Sequence, residues 1–218
     1  MIGAAIAMQS EANILLEEMN VQSTLTVSGK TVYVGKAYGK DVALCVCGVG
    51  KVNAALGTQL LVSKFNAEKI LNFGVAGGLN PCTELCQVYR ISHAVQFDFD
   101  LVELNGTKMG TLNEYEEPYL ALNTLDIPFP ERKLGTADRF NDSKADYALL
   151  TKELQADIRD MEGGAIVQAA LCAQLPVYAV KAISDVAGSG STTEQYLQNR
   201  DKALKNLQAV LPTIFEKL

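Results

Sequence analysis

Short apolar segments alternate with helical patterns along most of the chain, and this alternation restricts the fold more than any other feature. Residues 2–7, 42–47, 69–73 and 177–183 are almost continuously apolar, which is typical of strands that are buried on both faces of a sheet. Such strands need helices on both sides to cover them. The sequence therefore predicts an α/β fold. We expect a single domain, residues 1–218, built as a three-layer sandwich with a central mixed, twisted sheet flanked by helices on both faces.

The charge balance argues against nucleic acid as a partner. The formal net charge is −6, whereas a general nucleic-acid binder usually shows a basic face. No apolar run approaches the roughly 20 residues that a membrane-spanning helix needs. The apolar start, residues 1–8, lacks the basic region of a signal peptide. We therefore expect no membrane association and a cytoplasmic location.

The cysteines do not form a metal-binding pattern. The chain has five of them and one histidine, His93. Cys82 and Cys86 are four residues apart, but no histidine or further cysteine accompanies them at a spacing typical of zinc sites. We expect free thiols and no bound metal.

Polar and small residues follow four of the predicted strands. They occupy residues 8–11, 72–79, 160–165 and 182–186, and three of these segments carry a carboxylate, at Glu11, Glu162 and Asp185. Each segment alone has an ordinary explanation, because acids favour the first turn of a helix and Gly or Asp favours turns. Ligands, however, gather beyond the carboxyl ends of strands in open α/β sheets. Together the segments predict a site at that edge.

These segments resemble a known enzyme family in the same order over nearly the whole chain. Ala7-Met8 with Glu11, residues 48–55 (GVGKVNAA), 72–79 (NFGVAGGL), Met161-Glu162-Gly163 and 182–186 (AISDV) are similar to the methylthioadenosine/S-adenosylhomocysteine nucleosidases of the nucleoside phosphorylase superfamily. The resemblance implies a nucleoside phosphorylase-like fold and a small nucleoside substrate. It also implies hydrolysis of the N-glycosidic bond without a cofactor.

The resemblance assigns a role to each carboxylate. Glu11 corresponds to the general base that activates a water for attack at C1′. Asp185, oriented by Ser184, corresponds to the acid that protonates N7 of the leaving adenine, and burial should raise its pKa so that it holds a proton near neutral pH. Glu162 corresponds to the residue that accepts hydrogen bonds from the ribose hydroxyls and favours the positive charge that develops on the sugar.

The same resemblance implies further substrate contacts. Met161 would pack its thioether against the ribose, Phe140 would stack on adenine, and backbone groups near Asn141 would contact the edge of the base. The remaining lining residues implied are Val49, Val75, Ala76 and Gly77. The chain departs from the family at Val75, where Ser or Thr is common, at residues 96–100, and at the small pair Gly163-Gly164.

Three other functions remain open from the sequence: phosphorolysis, hydrolysis of a related nucleoside, and binding without catalysis. Phosphorylases of the hexameric type carry an arginine where this chain has Asn72, and no arginine here lies in a motif that resembles a phosphate clamp. A carboxylate at Glu11 would also repel phosphate. A related nucleosidase, of futalosine type or preferring 5′-deoxyadenosine, fits the same residues. A catalytically silent nucleoside-binding protein is the third possibility, against which the three intact carboxylates argue.

The resemblance also implies a homodimer in which the second subunit helps to close the pocket for the 5′ substituent. Residues 106–112 form an irregular segment with apolar residues, including Met109 and Leu112, that we expect to be exposed. Such a surface gains from a partner. The alternative is a mobile surface loop whose apolar residues are incidental.

Overall fold

The computed structural model describes residues 1–79, 81, 83–140 and 143–218. Strands and helices alternate through most of the chain, as predicted. The strands are β1 (Ile2–Ile6), β2 (Met19–Val27), β3 (Lys30–Ala37), β4 (Lys40–Val46), β5 (Lys69–Leu79), β6 (Val88–Gln96), β7 (Leu120–Ala121), β8 (Glu131–Thr136), β9 (Ile158–Asp160) and β10 (Val177–Ala187). The helices are α1 (Gln9–Leu16), α2 (Lys51–Phe65), α3 (Val102–Asn105), α4 (Lys144–Ala148), α5 (Gly163–Cys172) and α6 (Thr192–Lys217), with a π-helical turn at Leu149–Leu154.

The sheet is mixed, as predicted, but it is not the middle layer of a simple sandwich. Its strand order is β10-β6-β8-β9-β5-β1-β4-β3-β2, and β10 also pairs with β5. The strands β5, β9, β8, β6 and β10 therefore form a closed ring, and β1 to β4 extend from it. The prediction of a three-layer sandwich was wrong in this respect.

The closure follows from the two longest strands of the ring. β10 pairs in parallel with β5 from Val177 to Ala187, with a bulge between Ile183 and Asp185. The second half of β5 contains Gly77 and Gly78, which also pair with β9 on the other edge. Bulges and glycines bend strands, so β5 can turn from its neighbour β1 toward β9 and complete the ring.

Helices cover the outside of this sheet in two groups. α2 and α5 pack together over one cluster of buried side chains that includes Leu61 and Ile166. α1 and α6 pack together over a second cluster that includes Leu15 and Leu207. Among the described residues, no helix is long and apolar enough to cross a membrane.

Candidate active site

The predicted strand-end residues converge on one cavity of about 380 Å³, a size typical of sites for small molecules. The cavity opens where β1, β5, β9 and β10 end. Every predicted site residue that the structure describes lines it: Glu11, Val49, Val75, Ala76, Gly77, Phe140, Met161, Glu162, Ser184 and Asp185. Asn141 lies outside the described residues, and its predicted role stays a prediction.

Glu11 reaches the cavity from the first turn of α1 and is only 3% exposed. Its Oε1 accepts a hydrogen bond from the Val75 backbone N–H at 2.8 Å, and its Oε2 accepts one from the Met8 backbone N–H at 3.2 Å. A Cβ on Gly74 would lie 2.4 Å from Oε1, so only glycine lets β5 approach this carboxylate. Burial raises the pKa of Glu11, although the nearby Lys181 and the two backbone donors oppose the rise.

Glu162 lies at the start of α5 and faces the same cavity. Its Oε1 accepts a hydrogen bond at 2.9 Å from the backbone N–H of Gly50, which fixes the loop after β4. Burial, with added repulsion from Asp160 and Glu11, raises the pKa of Glu162 to about 7. The Gly50 donor and Lys181 oppose this rise but do not cancel it.

A buried ion pair lies beneath these two carboxylates. The Lys181 Nζ is 2.9 Å from Asp160 Oδ2, and the two side chains are 3% and 2% exposed. Asp160 also accepts hydrogen bonds from the Thr136 hydroxyl at 2.6 Å and from the Gly163 backbone N–H at 2.9 Å. It therefore joins β8, β9 and α5 at one point. We call Glu11, Asp160, Glu162 and Lys181 the floor cluster.

Lys181 stands beside Glu11 because of the sheet register. It is the β10 partner of Gly74 on β5, the residue against which the Glu11 carboxylate rests. Burial alone would lower the pKa of Lys181, but attraction to Asp160, Glu11 and Glu162 outweighs it and raises the pKa. The ammonium group therefore stays charged and partly neutralises the three carboxylates.

Asp185 occupies another wall of the cavity, at the end of β10, and is 1% exposed. The Ser184 hydroxyl donates to its Oδ2 at 2.9 Å and also lies 3.3 Å from the Ala76 carbonyl oxygen. This contact holds the carboxyl group in place. A Cβ on Gly77 would lie 2.9 Å from Asp185 Oδ1, so the glycine leaves space for the Asp185 side chain.

Aromatic and aliphatic side chains form the rim. Phe140 is 49% exposed and meets Tyr196 of α6 edge to face, with 5.9 Å between the ring centroids. The Tyr196 hydroxyl lies 3.8 Å from the Met8 sulfur. Leu197, also on α6, lines the cavity and is 69% exposed. The rim thus offers flat and flexible apolar surfaces to a ligand.

The loop that carries Val49 is held by side chains from two other segments. Gly48 and Gly50 both have positive φ, 93° and 96°, a conformation that favours glycine. The Lys51 backbone N–H donates to Asp138 at 2.7 Å, and the Lys51 ammonium pairs with Asp98 at 2.6 Å. The departure at residues 96–100 therefore provides Asp98, which fixes this loop.

A family model described as the phosphorylase superfamily matches residues 1–216. The chain belongs to this superfamily. A 5′-methylthioadenosine/S-adenosylhomocysteine nucleosidase of Marinomonas sp. (strain MWYL1) is 31% identical over 212 residues, which cover 90% of this chain and 91% of that protein. The chain is therefore a member of this nucleosidase family within the superfamily.

Solved structures of related enzymes have the same fold. The nucleosidase of Colwellia psychrerythraea 34H, in complex with adenine, is 26% identical with a TM-score of 0.89, covering 99% of this chain and 95% of that chain. The futalosine hydrolase of Helicobacter pylori strain 26695 has a TM-score of 0.90 at 21% identity, covering 100% of this chain and 97% of that one. The latter likeness shows the fold alone.

The sequence did not predict several residues that line this cavity. Asp160, Lys181, Arg139, Arg159, Phe97 and Tyr196 contribute to it or to the floor beneath it. One signal was present, because a lysine inside the apolar run 177–183 needs a buried partner. The two arginines at the cavity were also not expected. One of them, Arg139, forms a salt bridge with Asp146 at 2.7 Å.

Asn72 and residues 106–112 lie outside this cavity. Asn72 does not line the cavity, since its side-chain amide donates to the Ala5 carbonyl oxygen at 2.9 Å. The expectation of exposed apolar residues at 106–112 was wrong for Leu112, which is 4% exposed, because it packs into the core beside the sheet. Met109 is half-buried and lines a separate surface cavity with Lys108 and Tyr119.

Proposed function

We propose that this protein hydrolyses the N-glycosidic bond of 5′-methylthioadenosine and S-adenosylhomocysteine. The observation that carries the proposal is one cavity with Glu11 and Glu162 on one side and Asp185 on another. The membership in the nucleosidase family supports it. We further propose that residues 1–218 act as one domain, because strands from both ends of the chain share one sheet.

In the proposed reaction, the ribose lies over the floor cluster and the base lies against Asp185. Asp185 donates a proton to N7 as the C1′–N9 bond breaks, and the bonding electrons leave with the base. Glu11 accepts a proton from a water whose oxygen bonds to C1′. The products are adenine and the 5-thio-substituted ribose. A raised pKa suits Glu11 for this role, because a general base works best with a pKa near the operating pH.

Glu162 would accept hydrogen bonds from the ribose hydroxyls and stabilise the positive sugar in the transition state. Met161 and Phe140 would contact the sugar and the base, since both line the cavity. Val49, Val75, Ala76 and Gly77 would complete the surface around the substrate.

The floor cluster favours water over phosphate as the nucleophile. Three carboxyl groups surround a single ammonium group there, and that group is already paired with Asp160, so a phosphate dianion would face carboxyl oxygens. Of the two arginines at the cavity, Arg139 is paired with Asp146, and Arg159 stands in the same sheet row as Asp185 rather than on the floor.

Product analysis tests this proposal. The protein would be incubated with 5′-methylthioadenosine, with and without phosphate, and the products separated by chromatography. We expect adenine and free methylthioribose in both cases. A sugar phosphate formed only with phosphate would make the protein a phosphorylase, and no product at all would contradict an adenosine nucleosidase.

We also propose that the active form is a homodimer. Val49 at the cavity, with Val52 and Leu56 on α2, forms an apolar strip that is 48%, 71% and 58% exposed. A strip of this kind beside a site is typical of a surface covered by a partner. Light scattering at assay concentration is expected to give twice the chain mass, whereas a fully active monomer would refute the proposal.

A further inference from the structure

Arg159 is a charged side chain at the cavity to which the proposed reaction gives no role. Asp185 on β10 is the register partner of Gly77 on β5, and Gly77 is the register partner of Arg159 on β9. Partners in one row of a sheet project from the same face. The aspartate and the arginine therefore flank a glycine that has no side chain, and both line the cavity.

The absence of a side chain at Gly77 lets the arginine reach toward the aspartate. The Arg159 Nε and the Asp185 Oδ1 lie 3.2 Å and 2.9 Å from the point where a Cβ on Gly77 would stand. The terminal Nη2 of Arg159 is buried. The Nε end of the guanidinium group and the carboxyl group that, on the proposed function, meets N7 of the base thus both lie over Gly77.

The chemistry of the purine decides what such a group can recognise. The substituent at C6 lies on the same edge of the purine as N7, and we infer that Arg159, beside Asp185, can reach it. Arginine carries five N–H donors and no acceptor. It therefore complements an oxygen at C6 and offers nothing to the amino group of adenine, which is itself a donor.

We propose that this site also takes 6-oxopurine nucleosides, with the Arg159 guanidinium donating to O6 of the base. The inference rests on the proposed function for the orientation of the substrate. The reaction is the same hydrolysis: water bonds to C1′, the C1′–N9 bond breaks, and the base receives the electron pair. Arg159 stabilises the negative charge that spreads onto O6, while Asp185 supplies the proton to N7. For adenine to bind as well, the Arg159 side chain must move away from the C6 amino group.

Binding of the free bases tests this inference without requiring catalysis. The dissociation constants of hypoxanthine and adenine would be measured by calorimetry for the wild type, Arg159→Met and the matched control Arg139→Met. Removing a charged donor should weaken hypoxanthine binding by about 10- to 100-fold. Adenine binding should weaken much less, and it also reports that the variant is folded. Arg139→Met should change both constants alike.

A second variant and a rate measurement sharpen the result. Arg159→Gln keeps a donor but loses the charge, so its preference between the bases should fall between those of the wild type and Arg159→Met. The wild type should also release hypoxanthine from 5′-methylthioinosine. The inference is overturned if the wild type does not bind hypoxanthine, or if Arg159→Met leaves the ratio of the two constants unchanged. A changed ratio in a protein that hydrolyses neither nucleoside would support this inference and contradict the proposed function instead.

Discussion

The two ends of the cavity use carboxylates in different surroundings. In the floor cluster, Glu11 and Glu162 are buried and accept backbone hydrogen bonds, and both interact electrostatically with Lys181. At the other end, which we call the base wall and define as Arg159, Ser184 and Asp185, the Asp185 carboxyl group contacts a hydroxyl. Under the proposed function, Glu11 acts as a base and Asp185 as an acid, and we expect the different surroundings of the two carboxyl groups to favour these different roles.

The largest expected effect comes from removing the acid or the base. Asp185→Asn and Glu11→Gln should each lower kcat by about 10²–10⁴-fold, because one loses the proton for the base and the other the acceptor for the water. Steady-state kinetics on 5′-methylthioadenosine would measure this loss. The exposed controls Asp201→Asn and Glu18→Gln should retain the wild-type rate. If folded Asp185→Asn kept nearly the wild-type turnover, another residue would have to supply the proton to the leaving base.

The next effect distinguishes the role of the Lys181–Asp160 ion pair from that of the proposed catalytic carboxyl groups. Lys181→Met leaves Asp160 buried without its cation, which should lower the free energy of unfolding by about 3–5 kcal/mol. Urea denaturation would measure it. The double variant Asp160→Asn with Lys181→Met should recover part of this stability. Its activity should stay low, because Glu11 still lacks its neighbouring cation. Recovery of activity in the double variant would show that Lys181 serves only the fold.

A smaller effect concerns stability and pH. The pKa of Glu162 is raised to about 7 in the folded protein, so the folded state holds a proton that the unfolded chain releases at lower pH. The wild type should therefore lose stability as the pH rises from about 5 through 7. Glu162→Gln avoids this loss and should become the more stable protein above pH 7, by about 3 kcal/mol at most. Thermal unfolding at several pH values would measure the difference, and a constant difference across the range would refute the shifted pKa.

The sequence predicted the positions of the carboxylates better than the shape of the sheet. Glu11 follows the apolar run 2–7 and Asp185 follows the apolar run 177–183, and the ends of neighbouring strands converge, so the meeting of these two carboxyl groups could be expected from local patterns. The closed ring depends on β9, a three-residue strand that pairs with Gly77 and Gly78 far away in the chain. No local pattern indicates that pairing.

The same distinction explains the charged residues that were missed. Lys181 interrupts an apolar run, but its meaning depends on Asp160, which comes from another strand. Arg159 reads as an ordinary surface residue in the sequence, and only the register with Gly77 and Asp185 brings it to the cavity. Roles that depend on sheet register across three strands require the structure.

A crystal structure with a non-hydrolysable 5′-methylthioadenosine analogue tests the contrast between the floor cluster and the base wall most directly. We expect N7 of the base within about 2.6–3.2 Å of the Asp185 carboxyl group, the ribose hydroxyls on Glu162, and a water between C1′ and Glu11. An analogue bound in the opposite direction, with its base against Glu11 and its ribose at Asp185, would contradict the account.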